Sequence, residues 1–199
     1  GDRGDRRAAA IALGFLGEPL AAPALHDLVG RRGVAPGERA YAAIAIGFLG
    51  DVGSAPVLRA ALKESLKHRG SGMAELQAAC ATGLGLLGDR KSIPLLAKVA
   101  NRRANQADIV RPAAISALGR IGDGASVPLL LPLIDDGQVE VRRAIVQTLG
   151  ALGEAQAKPA LLRAFASDGD ISVRNFAAIA LARIGGPDVD KVLLGGLSI

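Results

Sequence analysis

Val141 to Phe165 reads VRRAIVQTLGALGEAQAKPALLRAF, and its skeleton decides the fold: an Arg, then Leu-Gly-x-Leu-Gly, then a Pro six residues past the second Gly. The same core, with Ile standing for Leu in places, recurs at Leu13–Gly17, Ile46–Gly50, Leu84–Gly88 and Leu118–Gly122, with a worn form at Leu181–Gly185. The closing glycines at 17, 50, 88, 122, 153 and 185 stand 33, 38, 34, 31 and 32 residues apart. A period in this range is the signature of a repeat array, in which each copy leans on its neighbours. The copies fall approximately at 1–30, 31–70, 71–105, 106–138, 139–170 and 171–199.

Within a copy, the first segment has helical spacing. Val141, Ile145, Val146, Thr148, Leu149 and Leu152 form one stripe, the pattern of an amphipathic helix. The Gly three residues before the closing one (14, 47, 85, 119, 150) sits inside that helix, where it costs about 1 kcal/mol relative to Ala. Its recurrence implies a second backbone passing too close for a Cβ. The closing Gly supplies a left-handed stop. A second helix follows. Ser54, Ser92 and Ser126 are placed to cap its free amides, and Pro23, Pro56, Pro94, Pro128 and Pro159 fall in its first turn, where a missing N–H is harmless. Each copy is therefore a helical hairpin with one apolar side, which stacking buries.

The pattern V-R-x-x-A…A-L-G-x-L-G-D…P…L, carried at Val110–Arg111, Val141–Arg142 and Val173–Arg174, resembles HEAT repeats, in particular the short HEAT-like type of phycobilisome lyases. The resemblance covers essentially the whole chain. It implies an all-α fold: a right-handed α-α superhelix of about six hairpins, residues 1–199 forming one repeat domain. Members of the family range from chromophore lyases to scaffolds, and the second helices line the concave surface that meets partners.

Composition narrows the chemistry. Half the residues are apolar, Trp is absent, and Phe and Tyr total five, so little is available for stacking on bases. The one cysteine, Cys80, rules out an internal disulfide and occupies a small-residue position of the repeat. It fits a reducing, cytoplasmic setting. No run approaches the ~18 apolar residues of a membrane span. The chain opens on Gly, at a repeat, and reads as a piece of a longer protein.

No constellation suggests catalysis. His26 and His68 have charged neighbours and read as solvated surface residues. Neither belongs to the paired His-Glu motifs through which the HEAT-like deoxyhypusine hydroxylases hold iron. Each Gly-x-x-Gly ends a helix and lacks the Gly-Lys-Ser/Thr of a phosphate loop. Asp135, Asp136, Asp168 and Asp170 read as turn and helix-start acids rather than a calcium loop. No catalytic residue, cofactor or metal is expected. The recurrent Arg (Arg6, Arg39, Arg111, Arg142, Arg174, with Gln77 in the third copy) reads as a ladder bonding carboxylates or helix-end carbonyls.

What remains is the outward side of the second helices. The net charge of +5 is unevenly spread, with its basic excess in the second and third copies, residues 31–70 carrying seven Lys/Arg against three acids. Arg59, Lys63 and Lys67 share a helix face, and Lys98 with Arg102 repeats the pairing in the third copy. Arg31, Arg32, Arg69, Arg90, Lys91 and Arg103 lie in the neighbouring loops. Further on, Leu131 and Leu162 occupy one column of the repeat, with Arg163 beside the second, and Pro132 should bend or end its helix. The expectation is a non-catalytic scaffold whose concave surface binds another protein, one with an acidic segment, through a basic half in copies 2–3. The alternatives are a nucleic-acid module reading phosphates and a bilin lyase or lyase-chaperone subunit. The sequence leaves the oligomeric state open.

Overall fold

The computed structural model describes residues 3–68, 72–102 and 109–195, of which 3, 4, 6, 7 and 10 are described by backbone alone. These residues form α-helices joined by short 3-10 turns, with no strand among them. The first helices of the copies are α1 (Arg3–Leu16), α3 (Pro36–Leu49), α5 (Met73–Leu86), α7 (Val110–Ile121), α9 (Val139–Leu152) and α11 (Ile171–Ile184). The second helices are α2 (Ala22–Gly30), α4 (Ala55–Ser65), α6 (Ile93–Ala100), α8 (Val127–Leu130), α10 (Lys158–Ser167) and α12 (Pro187–Gly195). They group into two compact units, Gly1–Ile121 and Gly122–Ile199.

In the first unit α1, α3, α5 and α7 pack side by side in chain order, while α2, α4 and α6 each pack on the helix that follows. The buried faces combine Ala42, Ile46, Cys80, Leu84, Ala114 and Leu118 from one row with Leu25, Leu58, Leu62 and Leu96 from the other. In the second unit α9 packs on α11, and α10 and α12 pack against α11. Val141, Ile145, Leu149, Leu161, Val173, Ala177 and Leu181 fill its core. Burial of Cys80 pushes its thiol pKa up to about 12, as a packed apolar residue requires.

The close approach expected at the internal glycines is present in both units. A Cβ on Gly85 would stand 2.7 Å from the Ala117 Cα, and one on Gly150 would stand 2.7 Å from the Ala180 Cα. All six closing glycines have positive φ, between 63° and 74°. At Gly88 the ending is a Schellman motif: Asp89 N–H donates to Leu84 C=O (3.1 Å) and Gly88 N–H to Gly85 C=O (3.1 Å).

The serine caps are a correction. Ser54, Ser92 and Ser126 are buried and make no cap bond to the second helix. The amides of the intervening 3-10 turn are met instead by the acid after the closing Gly. Asp51 Oδ1 accepts from Gly53 N–H at 2.9 Å, and Asp123 Oδ1 from Ala125 N–H at 3.0 Å. The Ser54 hydroxyl donates to Asp51 Oδ2 at 2.8 Å and so orients the capping acid. The first-turn prolines hold as expected, and Pro132 ends α8 at Leu130, leaving a 3-10 turn at Leu131–Leu133.

Candidate functional site

The recurrent arginines are structural. Arg39, Arg111, Arg142 and Arg174, with Gln77, reach from the start of a first helix back to carbonyls at or just past the end of the preceding second helix, which have no intrahelical donor. Arg39 Nε donates to Val29 C=O and Arg111 Nε to Ala100 C=O, both at 2.8 Å, while Gln77 Nε2 reaches Ser65 C=O at 2.9 Å. In the second unit Arg142 grips both oxygens of Asp168, at 2.8 and 3.0 Å, and the Asp136 carbonyl at 2.8 Å. Arg174 Nη1 donates to the Asp168 carbonyl at 2.6 Å. The hydrogen bond from Arg142 holds the Asp168 carboxyl below its ordinary range despite burial.

Arg59, Lys63 and Lys67 from α4 and the turn after it, with Lys98 and Arg102 from α6 and its end, line one groove in the first unit. Its volume is about 910 Å³. Among the described residues, Lys91, Leu66, Pro94, Leu95 and Val99 complete the lining, and no carboxylate is among them. The lysines are exposed and form the rim, whereas Leu66 and Leu95 are half-buried and Val99 is buried, so the floor is apolar.

Arg59 differs from the other cations. Its guanidinium is ion-paired with Asp89, which also accepts the Ser92 hydroxyl. Burial opposes ionisation of Asp89, but hydrogen bonds from Ser92 and Arg59, with the Arg59 charge, lower its pKa overall. Arg59 thus lines the groove while its charge is engaged by Asp89, tying the second copy to the third. Among the described residues, Lys63, Lys67, Lys91, Lys98 and Arg102 have no carboxylate partner.

The other expected residues lie apart from this groove. Leu131 and Leu162 are half-buried in the second unit. Arg163 is exposed and lines a cleft of about 380 Å³ with Asp135, Asp136, Arg142 and Asp168. Of the loop arginines, Arg31 pairs with Asp27 and Arg32 with Glu64, so both are spoken for. Arg69 and Arg103 lie outside the described residues, as does the side chain of Arg6. His26 is a further correction: it is half-buried, with Nε2 2.7 Å from the Ser54 hydroxyl of the next copy. Its place, nine residues past the closing Gly, is the one Arg59 holds in the second copy, and that shared register was the signal for an inter-repeat role.

Hairpins in register, glycines at the helix crossings and a ladder of polar side chains between copies define a helical repeat protein of the solenoid class. Residues 66–144 and 127–198 match the family model for HEAT repeats, and 5–30 and 38–64 match that for the PBS lyase HEAT-like repeat. The chain belongs to the HEAT-repeat family. No curated protein matches it at a significant level. Among solved structures, the complex of CpcE and CpcF of phycocyanin lyase from Nostoc sp. PCC7120 aligns over 95% of this chain and 86% of its own, at 21% identity and TM-score 0.61. An engineered protein aligns over 88% and 85%, at 19% identity and TM-score 0.52. Human deoxyhypusine hydroxylase in complex with glycerol aligns over 99% and 74%, at 20% identity, but its TM-score of 0.48 is too low to carry an argument. These likenesses concern the fold. No helix among the described residues is long and apolar enough to cross a membrane.

Proposed function

We propose that the chain is a non-catalytic interaction scaffold that captures a partner protein on the outward side of its second helices, through the basic groove of copies 2 and 3. The observation that carries this is the gathering of Lys63, Lys67, Lys91, Lys98 and Arg102, which have no carboxylate partner among the described residues, over an apolar floor in one concavity. Surface lysines are ordinarily solvated and scattered. Here they converge, and among the described residues no lining carboxylate neutralises them. HEAT repeats commonly serve as protein-binding platforms, which agrees with this reading.

The charge also suits phosphates, the feature that favours the nucleic-acid alternative. The groove offers no aromatic ring for a base, however, and its apolar floor has no use in backbone recognition. Capture of cellular proteins by the full chain should depend on the groove and be lost in Lys63→Glu/Lys98→Glu. Capture that survives the double reversal sinks the reading. Salt titration against duplex and single-stranded DNA separates the alternative, since phosphate-driven binding falls steeply and linearly on a log–log plot.

A further inference from the structure

The walls and floor of the groove specify more than a protein. Lys63 and Lys67 stand i, i+4 on the α4 side, and Lys98 and Arg102 stand i, i+4 on the α6 side. Lys63 and Lys98 stand in the last turns of α4 and α6, and Lys67 and Arg102 carry each row of charge past the helix end, into the turn that follows. Between the two cationic walls run Leu66, Leu95 and Val99, with Pro94 at the edge. A volume of about 910 Å³ suits a ridge of side chains rather than the whole body of a helix.

We infer that this groove seats one face of an acidic amphipathic helix, with an apolar ridge on Leu66, Leu95 and Val99 and carboxylates on both flanks meeting Lys63/Lys67 and Lys98/Arg102. The inference rests on the scaffold reading above and names its partner. Charge complementarity carries it. Among the described residues, Lys63, Lys67, Lys91 and Lys98 are exposed and Arg102 half-exposed, all without a carboxylate partner, and a flexible polyanion would satisfy them while leaving the apolar floor wet. A helix with Leu or Ile at i, i+3 or i+4 and i+7, flanked by Glu or Asp, satisfies both. Arg59 takes no part, because Asp89 already holds it.

The test uses the full chain and a short fluorescent helix designed with leucines in that register and glutamates on either flank. Its controls are a scramble of the same composition, a polyglutamate of equal charge, and a single-stranded oligonucleotide, all read by anisotropy at physiological salt. The designed helix should bind at least about tenfold more tightly than the scramble or polyglutamate, since only it covers the floor. Lys63→Ala/Lys98→Ala should weaken it by about tenfold. Leu95→Ala should weaken it by about fivefold, with circular dichroism unchanged. Equal binding of polyglutamate makes the groove a plain anion surface and overturns the inference, as does tighter binding of the oligonucleotide. If the helix fails to bind while protein capture still depends on Lys63 and Lys98, the scaffold stands and the assigned occupant is wrong. If capture is independent of them as well, both fall.

Discussion

The groove between α4 and α6 and the cleft beside α10 are both lined by charge, yet they do opposite things. Around α10, Arg142 is sunk between the copies and locked on Asp168, and Arg163 shares its cleft with three aspartates. Around α4 and α6, Lys63, Lys67, Lys91, Lys98 and Arg102 have no carboxylate partner among the described residues and share a groove with leucine and valine. The same residue types therefore serve as mortar in one place and as an open surface in the other. Pairing and burial, not charge count, separate the two.

The comparison can be broken most forcefully at the mortar. Arg142→Ala removes the guanidinium from Asp168, which keeps the Asp170 N–H, and removes one donor from the Asp136 carbonyl, at a site where the side chains of Arg142 and Asp168 are only 15% and 8% exposed. Loss of about 3 kcal/mol is expected in denaturant unfolding. Arg59→Ala should cost less, about 1–2 kcal/mol, since that pair is more open to water. If it costs nothing, Arg59 belongs with the groove lysines after all. Acid should discriminate as well. The folded pKa values of Asp89 and Asp168 lie below the ordinary 3.8, so their pairing stabilises fully above that value and is lost as pH falls through the lower folded values. Stability should decline below about pH 4, and Arg142→Ala should flatten that limb. The smallest effect belongs to the open surface: Lys63→Ala/Lys98→Ala should shift stability by no more than about 0.5 kcal/mol. A larger change would mean the groove lysines are structural too.

Much of this architecture is legible in the sequence. Repeat period, helix-stopping glycines, first-turn prolines and the arginine ladder all depend on local geometry, which the chain writes once per copy. Arg59, Lys63, Lys67, Lys98 and Arg102 were legible as neighbours for the same reason, since i, i+4 spacing sets residues on one side of a helix. Other features were not. Arg59 and Asp89 are 30 residues apart, His26 and Ser54 are 28 apart, and nothing local says they touch. The serines misled because a hydroxyl ahead of a helix reads as a cap, whereas those of Ser54 and Ser92 donate to the aspartate three residues back and that of Ser126 is buried without a partner among the described residues. Leu66, Leu95 and Val99 looked like ordinary helix residues, and only the distance between α4 and α6 leaves them as a floor.

The sequence alone determined the hairpin, its period and the crossings too tight for a side chain, because helix periodicity and backbone sterics act within a copy. Tertiary packing decided which cations are consumed and which remain free. That choice depends on whether a carboxylate from the next copy comes within reach, a matter of how neighbouring hairpins sit together that no single copy encodes.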